Sequence, residues 1–257
     1  MSRFNNLEFG GQSEHRDASH EAVKDEAYYL REATDAFERG QFEAALRMFA
    51  KVLEHDPRNV AAWAGQVRML IELEEFKEAR LWADKALEHF PNEPELLAAK
   101  AVALARLGEH KDALAFSDAS IEARGDTPYV WLARGDVLLA ARERKADYCF
   151  EKALSLGPSS WFWHWLAARI YYFYEKFSLA LKMIQKALSH DAARSVVWLQ
   201  LGYCQQALGM VALAGESFQQ ARELDPQCFK ATMAQRQLAP PSVWAAVRSW
   251  WHRIFHE

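Results

Sequence analysis

The sequence predicts an all-α solenoid of stacked helical hairpins, and three observations carry that prediction. The first is a repeat. A small residue recurs at Ala45, Ala79, Ala113, Ala146, Ala180 and Ala214, in steps of 34, 34, 33, 34 and 34 residues. Seven positions further on, Val52, Ala86, Ser120, Ala153, Ala187 and Ala221 keep the same rhythm. The second is helical periodicity inside each unit. In residues 195–226, Trp198, Leu201, Gly202 and Leu208 share one helical face, Gly209 interrupts it, and Ala214, Phe218 and Ala221 form a second face. The third is punctuation: Trp63, Trp131 and Trp198 recur in the first helices, and Pro57, Pro91, Pro158 and Pro226 stop the second ones. Small residues at a crossing let two helix backbones approach, and an aromatic neighbour fills the remaining gap. Neither helix buries its stripe alone, so the units must stack.

The elements follow in order. Residues 1–20 are polar, contain Gly10-Gly11, and are expected to form a disordered arm. Phe4, Leu7 and Phe9 within it would suit docking to a partner or to this protein's own groove. A repeat region is predicted over 21–239. Its first unit, about 26–59, carries Tyr29, Ala33 and Ala36, a turn at Gly40, then Phe42, Ala45, Phe49 and Val52. The second, 60–93, has Trp63, Leu70, Leu73, Phe76 and Ala79, with Glu74 where a turn glycine belongs. That residue predicts a corner of non-glycine conformation. The third, 94–127, runs through Leu97, Ala101, Leu104, Gly108 and Ala113, and Gly125 is expected to stop it.

Asp126-Thr127-Pro128 reads as a cap followed by proline at the first helical position, opening the fourth unit, 128–160. This unit is one residue short near 141–144, which predicts a local change of stacking angle. The fifth, 161–194, opens with WFWHWLAARIYYFYEKF, nine aromatic residues in seventeen, or ten with His164. A helix apolar all round is buried on both sides or faces a partner. The sixth unit covers 195–228. Residues 229–238 read as a capping first helix, with Lys230, Gln235 and Arg236 on a wetter face. After Pro240-Pro241, residues 240–257 predict an amphipathic C-terminal helix whose apolar side holds Val243, Val247, Trp250, Trp251, Ile254 and Phe255. Such a helix needs an apolar surface: its own solenoid, a partner protein or a membrane surface.

A period near 34 with small residues at the helix crossing resembles the tetratricopeptide repeat, over about residues 26–226 with a partial seventh unit beyond. The resemblance implies a right-handed solenoid of about six repeats whose first helices line a concave channel for an extended peptide or a helix. Carried onto the second, fifth, ninth and twelfth positions of repeats four to six, it implies a groove that includes Tyr129, Leu132, Asp136, Leu139, Phe162, Trp165, Arg169, Tyr172, Leu199 and Tyr203. The family's mode of gripping a terminal carboxylate uses lysine, asparagine and arginine at such positions. Here Leu30, Thr34, Ala64 and Arg68 stand at the fifth and ninth positions of the first two units, which argues against it. The channel is expected instead to be apolar and aromatic, with Asp136 and Arg169 as isolated polar points.

Composition bounds the function. A net charge of -4 supplies no basic field for nucleic acid, so no nucleic-acid partner is expected. Cys149, Cys204 and Cys228 are odd in number, widely separated and outside any CxxC or Cys/His cluster. They read as packed, reduced thiols and point to a reducing compartment. No apolar run has the length of a signal peptide or a spanning helix, and the expected location is cytoplasmic. There is no phosphate-binding glycine loop, HExxH or GxSxG, and the histidines are scattered, with His55, His89 and His190 near the ends of second helices. The expectation is a non-enzymatic interaction scaffold, or adaptor, without cofactor or metal, binding an apolar peptide or helix in the groove of repeats four to six. The groove's occupant could also be the protein's own C-terminal tail. The alternative is a peripheral membrane-associated assembly factor held by the C-terminal tryptophan- and arginine-bearing helix. Self-association through exposed aromatics is a further expectation.

Overall fold

The computed structural model describes residues 25–238, and every regular element among them is an α-helix. The predicted N-terminal arm and the predicted tail helix with Val243, Val247, Trp250, Trp251, Ile254 and Phe255 lie outside the described residues. The chain divides into two compact units, residues up to 159 and residues from 160.

The first unit contains α1 (Glu26–Glu38), α2 (Phe42–His55), α3 (Val60–Glu72), α4 (Phe76–His89), α5 (Pro94–Arg106), α6 (His110–Glu122), α7 (Pro128–Ala140) and α8 (Ala146–Leu156). The second contains α9 (Trp161–Phe173), α10 (Phe177–His190), α11 (Ser195–Ala207), α12 (Val211–Leu224) and α13 (Phe229–Leu238). Within each unit every helix packs on the next in sequence. The odd-numbered first helices α3, α5 and α7 also touch in series, as do α9 and α11. This is the expected all-α solenoid class, built from consecutive helical hairpins.

The recurrent small residues do what their spacing predicts. Ala45, Ala79, Ala113, Ala180 and Ala214 are wholly buried, and Ala146 nearly so. Where the crossing residue is glycine, an aromatic ring takes the space a Cβ would need. A Cβ on Gly65 would lie 2.5 Å from the Phe49 ring, and one on Gly135 2.8 Å from Phe150 Cζ. On Gly202 it would overlap Phe218. First helices start on side-chain caps at Asp25, Asn59 and Thr127, which accept from the amides of Tyr28, Ala62 and Val130. Pro94 and Pro128 occupy the first turns of α5 and α7.

All six hairpin corners share one conformation, and here the structure corrects the sequence. The corner residue is left-handed at Gly40 (φ 69°), Gly108 (φ 84°) and Gly209 (φ 76°), but equally at Glu74 (φ 62°), Arg142 (φ 58°) and Glu175 (φ 56°). In each, the corner amide donates to the carbonyl three residues back and the next amide to the carbonyl five back, as in Glu74 to Ile71 and Glu75 to Leu70. This is a Schellman ending. Glu74 therefore does not make a different corner: packing of the hairpin imposes the glycine conformation on a residue that pays for it sterically. The end of α6 repeats the lesson. The left-handed residue is Arg124 (φ 61°), whereas Gly125 is needed because a Cβ there would run into Ser120 O and Pro94. The missing residue of the fourth unit falls after the corner, between Arg142 and Ala146, so α8 loses its first turn and is 11 residues long.

Candidate functional site

The predicted site residues divide between the two units. On the first, α7 carries Tyr129, Leu132, Asp136 and Leu139 at the second, fifth, ninth and twelfth positions. Leu132 is 1% exposed and Asp136 2%, while Tyr129 and Leu139 are half-buried. Asp136 is not the isolated polar point expected from the sequence. Both its carboxylate oxygens accept from Arg106 on α5, Oδ1 from Nε at 3.0 Å and Oδ2 from an Nη at 2.6 Å. The Tyr129 ring lies beneath the Arg68 guanidinium, whose central carbon is 3.9 Å from the ring centroid and 5.3 Å from that of Phe37. An Arg68 nitrogen also lies 4.0 Å from Glu95 Oε2. Burial pushes the Tyr129 hydroxyl pKa far above its ordinary value, an effect only partly opposed by Arg68. The first-helix face of this unit is thus largely complemented by its own side chains.

On the second unit, α9 supplies Phe162, Trp165, Arg169 and Tyr172, and α11 supplies Leu199 and Tyr203. Trp165 is 2% exposed and forms part of the floor, with the Trp161 and Phe162 ring centroids each 5.9 Å away. Leu199 belongs to a buried cluster with Ala214, Phe218, Ala221, Ala231 and Ala234. Phe162, Arg169, Tyr172 and Tyr203 are half-buried and stand above that floor. The Arg169 guanidinium sits 5.4 Å from the Trp165 centroid. Tyr172 and Tyr203 meet across the two helices at 6.3 Å, and Tyr203 stands edge-on to Phe218 at 5.3 Å. Burial raises the pKa of both tyrosines; for Tyr203, Cys228 and Tyr172 add to the rise while Arg169 opposes it. Both hydroxyls therefore stay protonated near neutrality and remain hydrogen-bond donors. The arrangement offers broad apolar contact, two hydroxyls and one cation.

Several residues that the sequence marked by recurrence or position alone have defined partners. Trp63 and Trp198 donate their indole N–H back to the preceding loop, to Pro57 O and Ala192 O, and Trp131 does the same to Asp126 Oδ1. His164 occupies the equivalent position of the fifth unit and uses Nδ1, 3.1 Å from Ser160 O, in the same sense. The histidines that end second helices then stack on these first-helix rings: His55 on Tyr29, His89 on Trp63 and His190 on His164, at 5.4, 6.4 and 4.9 Å. Arg194 covers Trp161 at 4.8 Å. The constant 26-residue separation between each first-helix ring and its histidine was the available clue.

Cys149 and Cys204 are buried, Cys228 is half-buried, and none is in a disulfide. Burial raises the Cys149 thiol and pushes Cys204 up to about 11, so neither is a ready nucleophile. Among the described residues no group of three or more His, Cys, Asp or Glu side chains is placed to hold a metal ion. No helix among them is long and apolar enough to cross a membrane.

Hairpins of this length, with a Schellman corner and small residues at each crossing, define a class of helical-repeat proteins. Within that class the tetratricopeptide repeat family matches residues 36–101 and again 196–228. The chain is a tetratricopeptide repeat protein. Among solved structures it is similar to a tetratricopeptide repeat protein from Parabacteroides merdae, with 16% identity over 84% of this chain and 85% of that one and a TM-score of 0.53. A thermophilic tetratricopeptide repeat protein of Thermus thermophilus shares 14% identity over 83% and 98% of the chains, at a TM-score of 0.50. Human IFIT1, solved as a dimer with m7Gppp-AAAA, shares 18% identity over 84% of this chain and 56% of its own, at 0.51. At these identities the likeness is one of fold. No curated protein matches the sequence.

Proposed function

We propose that this protein is a non-enzymatic adaptor that holds an apolar segment of a partner protein, helical or extended, against the α9–α11 face. The observation that carries the reading is that half-buried Phe162, Arg169, Tyr172 and Tyr203 lie at first-helix positions beside buried Trp165 and Leu199, with Arg169 5.4 Å from the Trp165 centroid and Tyr172 6.3 Å from Tyr203. A tetratricopeptide repeat fold is itself a protein-interaction scaffold. Rigid rings on a packed floor give contact area at small entropic cost and are the usual centres of binding energy. Arg169 adds one point for a carboxylate or a carbonyl at the end of the bound segment. The repeat-four positions are not included, because Leu132 and Asp136 are already occupied within their own unit.

Selection of a random peptide library on the intact chain tests this. Enriched peptides should be rich in aliphatic and aromatic residues, with an acidic or C-terminal group placed for Arg169. Tyr172→Ala and Tyr203→Ala should each weaken them by about 2 kcal/mol, roughly 30-fold in Kd, with helicity unchanged. Peptides that bind both variants as tightly as the native chain would overturn the assignment.

A further inference from the structure

The second unit has an outer side that the α9–α11 reading does not use. α10 and α12 each pack on α11, and as equivalent helices of successive hairpins they run in the same direction. Their outward positions match one to one. Leu179 on α10 and Leu213 on α12 stand at the same position and are 37% and 48% exposed. Exposed Met210 and Val211, at the start of α12, extend the apolar surface. Three residues on, one turn along the same side, the matched position holds exposed Lys182 on α10 and exposed Glu216 on α12. Neither has an ion-pair partner among the described residues. In repeats one to four the leucine position holds Ala44, Glu78, Asp112 and Lys145, so the leucine pair is confined to repeats five and six.

We propose that this face joins two copies of the chain about a two-fold axis that runs parallel to α10 and α12, midway between them. Such an axis lays α10 over α12 of the second copy and sets every position opposite its repeat equivalent. Leu179 then meets Leu213 of the second copy and Lys182 meets Glu216, twice over by symmetry. Further along, Gln185 faces Gln219 and Lys186 faces Gln220, so no like charges meet. Charge also selects the axis. Centred on α10 it would set Lys182 against Lys182, and centred on α12 Glu216 against Glu216. The second copy is thus the occupant that supplies both the leucine and the opposite charge at each place. Each helix has 14 residues. At about 21 Å of length, the two together present roughly 400 Å² per chain. That is the small end of specific interfaces and predicts a transient dimer with a Kd on the order of 10–100 µM. Tyr172 and Tyr203 lie on first helices and take no part, so the dimer carries two copies of the α9–α11 face.

Sedimentation equilibrium of the full chain between about 1 µM and about 1 mM tests this. The molar mass should rise from monomer to dimer, with a midpoint that moves to higher concentration as salt is added. Lys182→Glu and Glu216→Lys, both at exposed positions, should each weaken the dimer by roughly tenfold or more with helicity unchanged. The two variants mixed should form a heterodimer at native affinity. One chain carrying both changes should dimerise like the native protein, because each charge again meets its opposite. Leu213→Glu should hold the chain monomeric over the whole range. A native chain that stays monomeric throughout, a dimer equally strong in both charge reversals, or a double variant no better than the single ones would each overturn the proposal. Peptide capture by Tyr172 and Tyr203 is measured with the chain well below the dimer's Kd, so the two proposals fail separately.

Discussion

Replacing Asp136 with alanine separates a packed residue from a ligand-contacting one. Its carboxylate accepts two hydrogen bonds from Arg106, and the two side chains are 3% and 7% exposed. Alanine at 136 removes both acceptors and leaves a guanidinium in a place that water scarcely reaches. Breaking a buried pair in this way costs about 3–5 kcal/mol, because the surviving charge loses its compensation while its desolvation remains. Removing both partners is different. Asp136→Leu with Arg106→Met should recover most of the loss, since apolar side chains of similar size need no compensation there. The measurement is urea unfolding of each variant, with the single change shifting the midpoint at constant slope and the double change lying close to the native chain. A cost below about 1 kcal/mol for the single variant would refute the argument, because that is the value of an exposed pair. If Asp136 were instead a contact for the bound segment, its loss would weaken binding and leave the midpoint in place.

Four further outcomes follow from the same geometry. Glu74→Gly, Arg142→Gly and Glu175→Gly should each stabilise the chain by about 0.5–1 kcal/mol, the steric relief at a left-handed corner exceeding the entropy that glycine adds to the unfolded state. Gly209→Ala, which meets no atom within 4 Å, should cost a similar amount for conformational reasons alone; thermal melts decide both. Trp165→Ala should lower stability by about 3–5 kcal/mol, since its ring is buried, and so reports on the fold more than on ligand contact. His164 has its pKa lowered, first by burial and then by His190 and Lys186, against the raising effect of its bond to Ser160. The unfolded imidazole therefore protonates first, and stability should fall as pH drops below the ordinary histidine value of about 6.5. Urea midpoints at pH 7.5 and 5.5 should differ less in His164→Gln, and an unchanged difference would remove His164 from the account.

The hairpins were legible because backbone crossings leave a periodic record. A helix pair that approaches closely tolerates only small residues at one position, and Ala45 through Ala214 mark it in every unit. Corners left no such record. Glu74, Arg142 and Glu175 adopt the glycine conformation because the two packed helices dictate the turn between them, and a penalty of about 1 kcal/mol is small against the burial that each hairpin gains. The site was legible by position and not by exposure. A helical register puts Leu132, Asp136, Trp165 and Tyr172 on the same face of their first helices, yet neighbours bury the first three and leave the last half open. Asp136 illustrates why. Its partner Arg106 lies 30 residues away on another first helix, so nothing near it in sequence announced the pair.

The two first-helix faces differ in what they have left to offer. On the first unit the polar groups at these positions are satisfied internally. Arg68 lies against Phe37 and Tyr129 and near Glu95, and Arg106 holds Asp136 by both oxygens. A ligand there would have to displace contacts that already stabilise the fold, and it would gain only the difference. On the second unit the contacts of Tyr172 and Tyr203 are ring to ring, with each other and with Phe177 and Phe218. Their packing fixes the rings without using up their half-exposed surfaces. Pre-organised surface of this kind loses little entropy on binding, so the free energy of covering it goes into affinity. That difference in residual surface, rather than the number of aromatic residues, is why we propose α9 and α11 for the binding face.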